Sequence, residues 1–447
     1  MAVLTDGQMI VGDGTTDPVA ESGATLRTSI GVGLTDDVVF SAVSGSTATF
    51  ADYVENVSGS STSTGSFGHI KLGTADIGGG LYRISLSNND AGTSNTIFGK
   101  AAGASLDAGS NYNVFIGEGV SDAAMNDSIN NVGVGYQALS ALTTADNNTA
   151  IGKTAGKALT TGASNVVIGS TALETATTVN STVVIGADAM SDVPAGQALE
   201  GATVVGYEAL KGTASTTDGA NGTTAIGYSA GKAITTAAGA TLIGYAAGDA
   251  ITTGNNNTAI GRHALGALTT GVDNVALGYQ ALYRATTLAD KNVAIGSSAM
   301  SGNFTTNDVD GCIIIGYDAG SGTLASGASG TVAIGYQAGK ALTSGANCVV
   351  IGYEAGKAVT SNGQNTFIGY RAGLDNDNVR NTFIGNDAGR QCTGDSNTVI
   401  GEGAGKGGVA YDNCVLIGRN AATGSLTAGA DGCLLYTSDA ADEEESV

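Results

Sequence analysis

Tryptophan is absent from the 447 residues; proline occurs only at Pro18 and Pro194, and histidine only at His69 and His263. So little histidine leaves general acid–base catalysis and zinc binding without their commonest residue. Neither histidine has a second ligand near it in a metal-binding spacing, and no metal or cofactor is expected. Basic residues are scarce as well, 18 against 40 acidic ones, for a net charge of −22. That balance argues against nucleic acid and against anionic membrane surfaces as partners. No apolar run is long enough to span a bilayer, so no membrane insertion is expected. The stretch Met1 to Asp13 lacks the charged-then-apolar order of a secretory signal. The five cysteines suggest no disulfide framework and no metal spacing.

What the chain has in abundance is one short motif, an apolar pair followed by glycine and then three residues ending in alanine. Nineteen copies run from Ile97-Phe98-Gly99 to Leu416-Ile417-Gly418, most often 17 residues apart, with extremes of 16 and 21. The length would accommodate two or three globular domains, but a fixed short period overrides that expectation and marks a solenoid of stacked coils. Gly, Ser, Thr, Asn and Ala dominate. The regular β-branched apolar positions nonetheless separate the chain from a disordered one. Short apolar stretches bounded by Gly and Asn read as buried strands, and Thr-Thr-Gly, as at Thr160-Thr161-Gly162, reads as a turn or a second short strand. The expected fold is all-β: a parallel β-solenoid, each coil flattened between strands and turns. Nineteen coils at ~4.8 Å would span roughly 90 Å.

Position within the repeat carries further information. The residue before the motif Gly is apolar in all nineteen copies, and the one before that in eighteen, with Gly133 the exception. Adjacent strand residues point to opposite faces, so both faces of the strand are apolar. One can fill the coil; the other needs a cover that a single thin solenoid lacks. Ala stands three residues after Gly in eighteen copies, Val120 being the exception, and reads as a site of close backbone approach. Together these predict a homo-oligomer, a trimer with its strands near the axis, which Glu at Ala338 and Ala355 should weaken. Asn lies four residues before Gly at Asn95, Asn113, Asn131, Asn148, Asn165, Asn257, Asn274, Asn292, Asn365, Asn381 and Asn397, and should form a hydrogen-bonded ladder. Cys312, Cys348 and Cys414 occupy the same slot as small buried substitutes. Tyr follows Gly at Tyr136, Tyr207, Tyr228, Tyr245, Tyr279, Tyr317, Tyr336, Tyr353 and Tyr370. This row either packs at a coil corner or forms an aromatic strip that contacts a glycan or protein.

Catalytic readings are thin. Gly-x-x-x-Gly-Lys recurs at Gly152–Lys157, Gly227–Lys232, Gly335–Lys340, Gly352–Lys357 and Gly401–Lys406. It is one residue short of a phosphate-binding loop and has Ala or Gly where Ser or Thr belongs; it is a by-product of the repeat. Glycan cleavage needs two positioned carboxylates, whereas Asp188, Glu208, Asp249, Asp318 and Glu354 read as scattered over variable positions. Adjacent threonines point to opposite faces, so no flat threonine face of the ice-binding kind follows. No catalytic residue is expected.

The ends differ from the repeats. Cys433 to Val447, beginning Cys433-Leu434-Leu435-Tyr436-Thr437-Ser438-Asp439, resembles a translated sequencing adapter, and residues 433–447 are set apart as non-native. The natural chain would then be cut near Gly432, inside a coil. Residues 1–90 carry short β segments and Gly/Ser turns: Leu4-Thr5-Asp6-Gly7-Gln8, Thr35-Asp36-Asp37-Val38-Val39-Phe40-Ser41 and Ser58-Gly59-Ser60-Ser61-Thr62-Ser63-Thr64-Gly65. They read as a slender attachment shaft or linker ahead of the solenoid, residues 91–432. These strings resemble the N-terminal parts of bacteriophage tail fibre proteins. The repeats are similar to those of phage fibres and to the heads of trimeric autotransporter adhesins, which form left-handed parallel β-rolls in trimers. The resemblance implies a virion tail fibre that binds a host surface glycan or protein without turnover and attaches by its N-terminus to a baseplate or tail protein. The alternative is a bacterial cell-surface adhesin, or, with catalysis, a glycan-cleaving tailspike.

Overall fold

The computed structural model describes residues 9–11, 19–21, 92 and 94–436, apart from 93, 198, 214–219, 286–288, 304–308, 408–409 and 424–429. The chain divides into Met1–Tyr82 and Arg83–Val447. In the first unit Met9–Val11 pairs antiparallel with Val19–Glu21; the rest of the expected shaft lies outside the described residues.

The second unit is a parallel β-solenoid. Twenty three-residue strands, from Thr96–Phe98 to Leu434–Tyr436, form one ladder. Each pairs in parallel with the strand of the next coil, as Val332–Ile334 does with Val349–Ile351. No pairing among the described residues joins the first strand to the last, so the ladder is open. There is no α-helix among the described residues; Ser326–Ala328 forms a 3-10 turn.

Each coil spends a single strand, and the backbone explains why. In the coil around Gly278, four residues have positive φ: Asp273 (58°), Gly278 (134°), Gln280 (55°) and Leu282 (50°). Three of them alternate with residues of negative φ, a pattern that bends the chain continuously. An extended second strand does not fit. Thr-Thr-Gly is accordingly a turn, its amides bonded to the next coil, as Thr252 N–H is to Thr269 O at 2.8 Å. The first threonine of the pair also donates its hydroxyl to that carbonyl, at 3.0 Å for Thr252. Among the described residues Tyr411–Asp412 with Ala430–Asp431 adds a second parallel ladder, and Asn180 with Glu200 an isolated parallel bridge. A left-handed leucine costs roughly 1–2 kcal/mol. Leu282 is fully buried, and burying a leucine gains about 1.5–3 kcal/mol, so the conformation is held by the core.

That core is filled by the middle strand residue, the Ala three after Gly, the residue four after Gly and the one seven after it, for example Ala333, Ala338 and Leu342. The two exceptions in the sequence explain each other. A Cβ on Gly133 would lie 2.6 Å from Val120 Cγ1, so the single valine in the alanine row fills the space of the single glycine in the strand row. Volumes are traded elsewhere too. Phe367 and Phe383 stack with centroids 4.9 Å apart. Glycine stands four after the motif Gly beside them, where a Cβ on Gly373 would lie 2.8 Å from Phe367.

These positions correct the expected role of the alanine row. Ala338 and Ala355 are completely buried inside their own coils; they do not face a partner. Small side chains are required there because the coil interior is thin. Glutamate at either position would bury an unpaired charge in the protomer itself.

The asparagine ladder forms as expected. All eleven residues are buried. Asn274 Oδ1 accepts from the backbone N–H of Asn292 at 3.0 Å and from its Nδ2 at 3.2 Å. Its own Nδ2 donates to Ala289 O at 2.6 Å. Asn274 thus closes its neighbour's turn as well as bonding its neighbour's side chain, and Asn131, Asn148 and Asn381 bond a neighbouring asparagine side chain in the same way. Thr182, Cys312 and Cys414 donate their N–H into the same ladder. Asn274→Ala strips a buried N–H and a buried carbonyl of their partners and is expected to cost about 3 kcal/mol in urea unfolding. Asn274→Thr, which keeps a hydroxyl in a slot that threonine fills at Thr223, should cost less than half of that.

Cys433 takes the slot next to Cys414, and the two form a disulfide, a bridge the sequence reading did not expect. Leu434–Tyr436 then pairs in register with Val415–Ile417. An open ladder end accepts any extended apolar triplet, so this pairing is compatible with the adapter resemblance.

Candidate functional site

With the middle residue of every strand turned inward, the two flanking residues point outward. They form two columns on one sheet face: Thr or Val first, and Ile, Val or Leu second. Ile116, Ile151, Ile226, Ile260 and Ile384 are 36–40% exposed although each is flanked by coils above and below. The expected second apolar face therefore exists and is uncovered in the single chain.

The tyrosine row stands beside it, just beyond the motif glycines. All nine tyrosines are exposed, by 41–53%, so the row is not buried in coil corners. The structure brings seven of them into two stacks. Tyr207, Tyr228 and Tyr245 stack with centroids 5.3 and 5.0 Å apart. Tyr317, Tyr336, Tyr353 and Tyr370 stack at 5.5, 4.9 and 5.2 Å. The spacing follows from the coil-to-coil distance of the ladder, which fixes side chains in register at nearly van der Waals contact. Arg262 lies between Tyr245 and Tyr279, 5.5 and 5.9 Å from their rings. Tyr136 has no ring partner among the described residues.

A charged row follows, and it corrects the reading of scattered acids. Asp188, Glu208, Asp318, Glu354 and Asp387 all stand two residues after a motif Gly; of the five acids expected to be scattered, Asp249 is the one that does not. Lysines five after Gly meet these acids, as does Arg371, which stands two after Gly369. Glu208 binds Lys232 at 2.6 Å and Lys211 at 3.4 Å. Asp318 binds Lys340 at 2.6 Å. Glu354 binds Lys357 at 2.7 Å and Arg371 Nε at 2.9 Å. Hydrogen bonds from Lys232 and Lys357 hold the Glu208 and Glu354 carboxyls below the usual carboxylate range, against a smaller opposing effect of burial. At Asp318 burial pushes upward, but Lys340, Ser321 and Gln337 together outweigh it and the carboxyl is lowered. Asp249 goes the other way: burial raises it, and its Oδ1 has no hydrogen-bond partner.

The lysines of the Gly-x-x-x-Gly-Lys segments are members of this row. Their loop amides are already used: Gly339 N–H bonds Ala355 O at 3.0 Å and Lys340 N–H bonds Gln337 O at 3.3 Å. A phosphate would find no open cradle of amides there. His263 packs edge-on against Tyr245 at 5.4 Å, and His69 lies outside the described residues. Among the described residues no three His, Cys, Asp or Glu side chains cluster as a metal site, and no helix is long and apolar enough to cross a membrane. The free cysteines Cys312, Cys348 and Cys392 are buried, which raises their thiol pKa.

In comparison with known proteins, the chain matches no protein-family model, and no curated protein matches it. What the surface offers chemically is three parallel columns along one axis: aliphatic, aromatic, and paired charges.

Proposed function

We propose that this protein is a virion tail fibre or related appendage whose solenoid assembles as a homotrimer and presents a recognition surface to a host cell. The observation that carries the reading is the uncovered aliphatic column. An apolar strip running the length of a soluble solenoid is a surface built for association. A second copy, repeating at the same pitch, matches it coil for coil. Closure about a three-fold axis would cover the strip on every chain, while the tyrosine and charged columns, set to one side, stay available. The resemblance of the N-terminal strings to phage fibres supplies the virion context. Carboxylates already bound by lysine and arginine on the charged row favour binding over hydrolysis.

The test combines adhesion with turnover. Fluorescently labelled protein is expected to adhere to cells of susceptible strains in a bacterial panel. It should release no reducing ends from their envelope polysaccharide. Release of oligosaccharides that is lost on replacing Glu208 or Glu354 would make the protein a glycan-cleaving tailspike. Adhesion to no strain would remove the recognition role. Repeated weak contacts on three chains should make adhesion far stronger for the assembled protein than for a monomeric variant.

A further inference from the structure

Beyond the tyrosine stack, on the side of the charged row, the coils from Gly316 to Gly385 border an open groove of about 560 Å³ lined by Lys340, Ala341, Glu354, Lys357, Ala358, Leu374 and Asp375. In its two central coils a lysine five after Gly is followed by an alanine, and in the next coil the same two positions hold Leu374 and Asp375. A second groove, of about 450 Å³, lies at the same positions of earlier coils, lined by Ser140, Ala141, Lys157, Ala158, Glu174 and Thr175.

The charge state of the larger groove restricts what it can hold. Lys340 is bound by Asp318 at 2.6 Å and Lys357 by Glu354 at 2.7 Å, while Glu354 is buried and also takes Arg371. An anion would meet lysines already neutralised and the exposed carboxylate of Asp375, while a cation would meet Glu354 already occupied and Asp375 flanked by the lysines. Each ammonium still has donors to spare, and each carboxylate has lone pairs to spare, all fixed in position by the ion pair. Such a rim suits uncharged groups that both donate and accept, which is the chemistry of hydroxyls. The floor of Ala341, Ala358 and Leu374 suits C–H faces. The four-ring stack Tyr317 to Tyr370 belongs to the same coils, and the hydrogen bond from Lys340 to Asp318 raises the lysine's pKa against a smaller opposing effect of burial.

We infer that this flank binds a neutral polysaccharide, laid along the solenoid axis between the tyrosine stack and the alanine floor. The axis is the direction in which the same contacts recur once per coil, so a polymer engages several sites where a monosaccharide engages one. The inference names the ligand class for the recognition surface proposed above and rests on that reading.

Native affinity electrophoresis of the full chain tests it, in gels containing dextran, galactomannan or hydroxyethylcellulose and, separately, alginate or heparin. At least one neutral polymer should retard the protein, and neither acidic polymer should. Ala341→Trp combined with Ala358→Trp fills the groove and should weaken the retardation about tenfold or more. Lys340→Gln with Lys357→Gln, which keeps the side-chain volume, should weaken it as well, and serves as the reading if the tryptophan variant loses its circular dichroism. Retardation only by alginate or heparin, by none of the polymers, or undiminished in both variants would overturn the inference. Cell adhesion that persists without any neutral-polysaccharide binding would reject this ligand class and leave the recognition reading standing; loss of adhesion by the unaltered protein would reject both.

Discussion

Replacing Gly278 with alanine is expected to cut the solenoid into two separately melting parts. Its φ is 134°, and a Cβ there would lie 2.6 Å from the carbonyl oxygen of Gly296 in the next coil. The conformation alone costs an L-residue about 1–3 kcal/mol. The collision adds to this, because the obstacle is backbone and cannot swing aside. In a stacked array stability resides in nearest-neighbour interfaces, so spoiling one uncouples the coils on either side. Urea unfolding should broaden into two transitions, or lose roughly 3 kcal/mol or more if it stays single. Gly311 provides the contrast. Its φ is 65°, nothing lies within 4 Å of a built Cβ, and Asn347 occupies the equivalent place at φ 55°. Gly311→Asn should therefore stay within about 0.5 kcal/mol of the parent. Superimposable curves for the two variants would show that the motif glycines are not held by close stacking.

The second large effect concerns the aliphatic column. Ile334→Lys together with Ile351→Lys should leave circular dichroism unchanged, because both side chains point out of the coil and are partly exposed. In a trimer the same pair places lysines from all three chains in the covered interface, where an unpaired charge costs several kcal/mol, and assembly should be lost. Ala338→Glu should behave in the opposite way. Ala338 is completely buried within its own coil, so the charge should unfold the protomer before any effect on association is seen. Gel filtration with circular dichroism on the three proteins separates these outcomes. A lysine pair that leaves the assembly intact would place the interface elsewhere.

Much of this was legible in the sequence. The period gave the solenoid, the position of Asn274 and its equivalents gave the ladder, and the two apolar strand residues gave an outward face. The alanine row misled because thin coil interiors and close protomer contacts demand the same small side chain. The left-handed residues beyond glycine, such as Gln280 and Leu282, left no mark in composition. Their conformation is stabilised by bonds to neighbouring coils and by burial, which single-residue preferences do not encode. Val120 and Gly133 looked like unrelated exceptions, since their compensation crosses from one coil to the next. The acidic row was readable and was missed: Glu208, Asp318 and Glu354 share one offset from the motif glycine. Measured along the chain they look scattered, because long turns vary the step between coils. The grooves could not be foreseen, since they depend on how deeply Ala341 and Ala358 sit beside Lys340 and Lys357.

The most direct measurement is the mass of the unaltered full chain by sedimentation equilibrium at micromolar concentration. One chain weighs 43.6 kDa, so a homotrimer joined through its aliphatic columns requires 3 × 43.6 = 130.8 kDa. A single species of one-chain mass, with the column left in water, would contradict it.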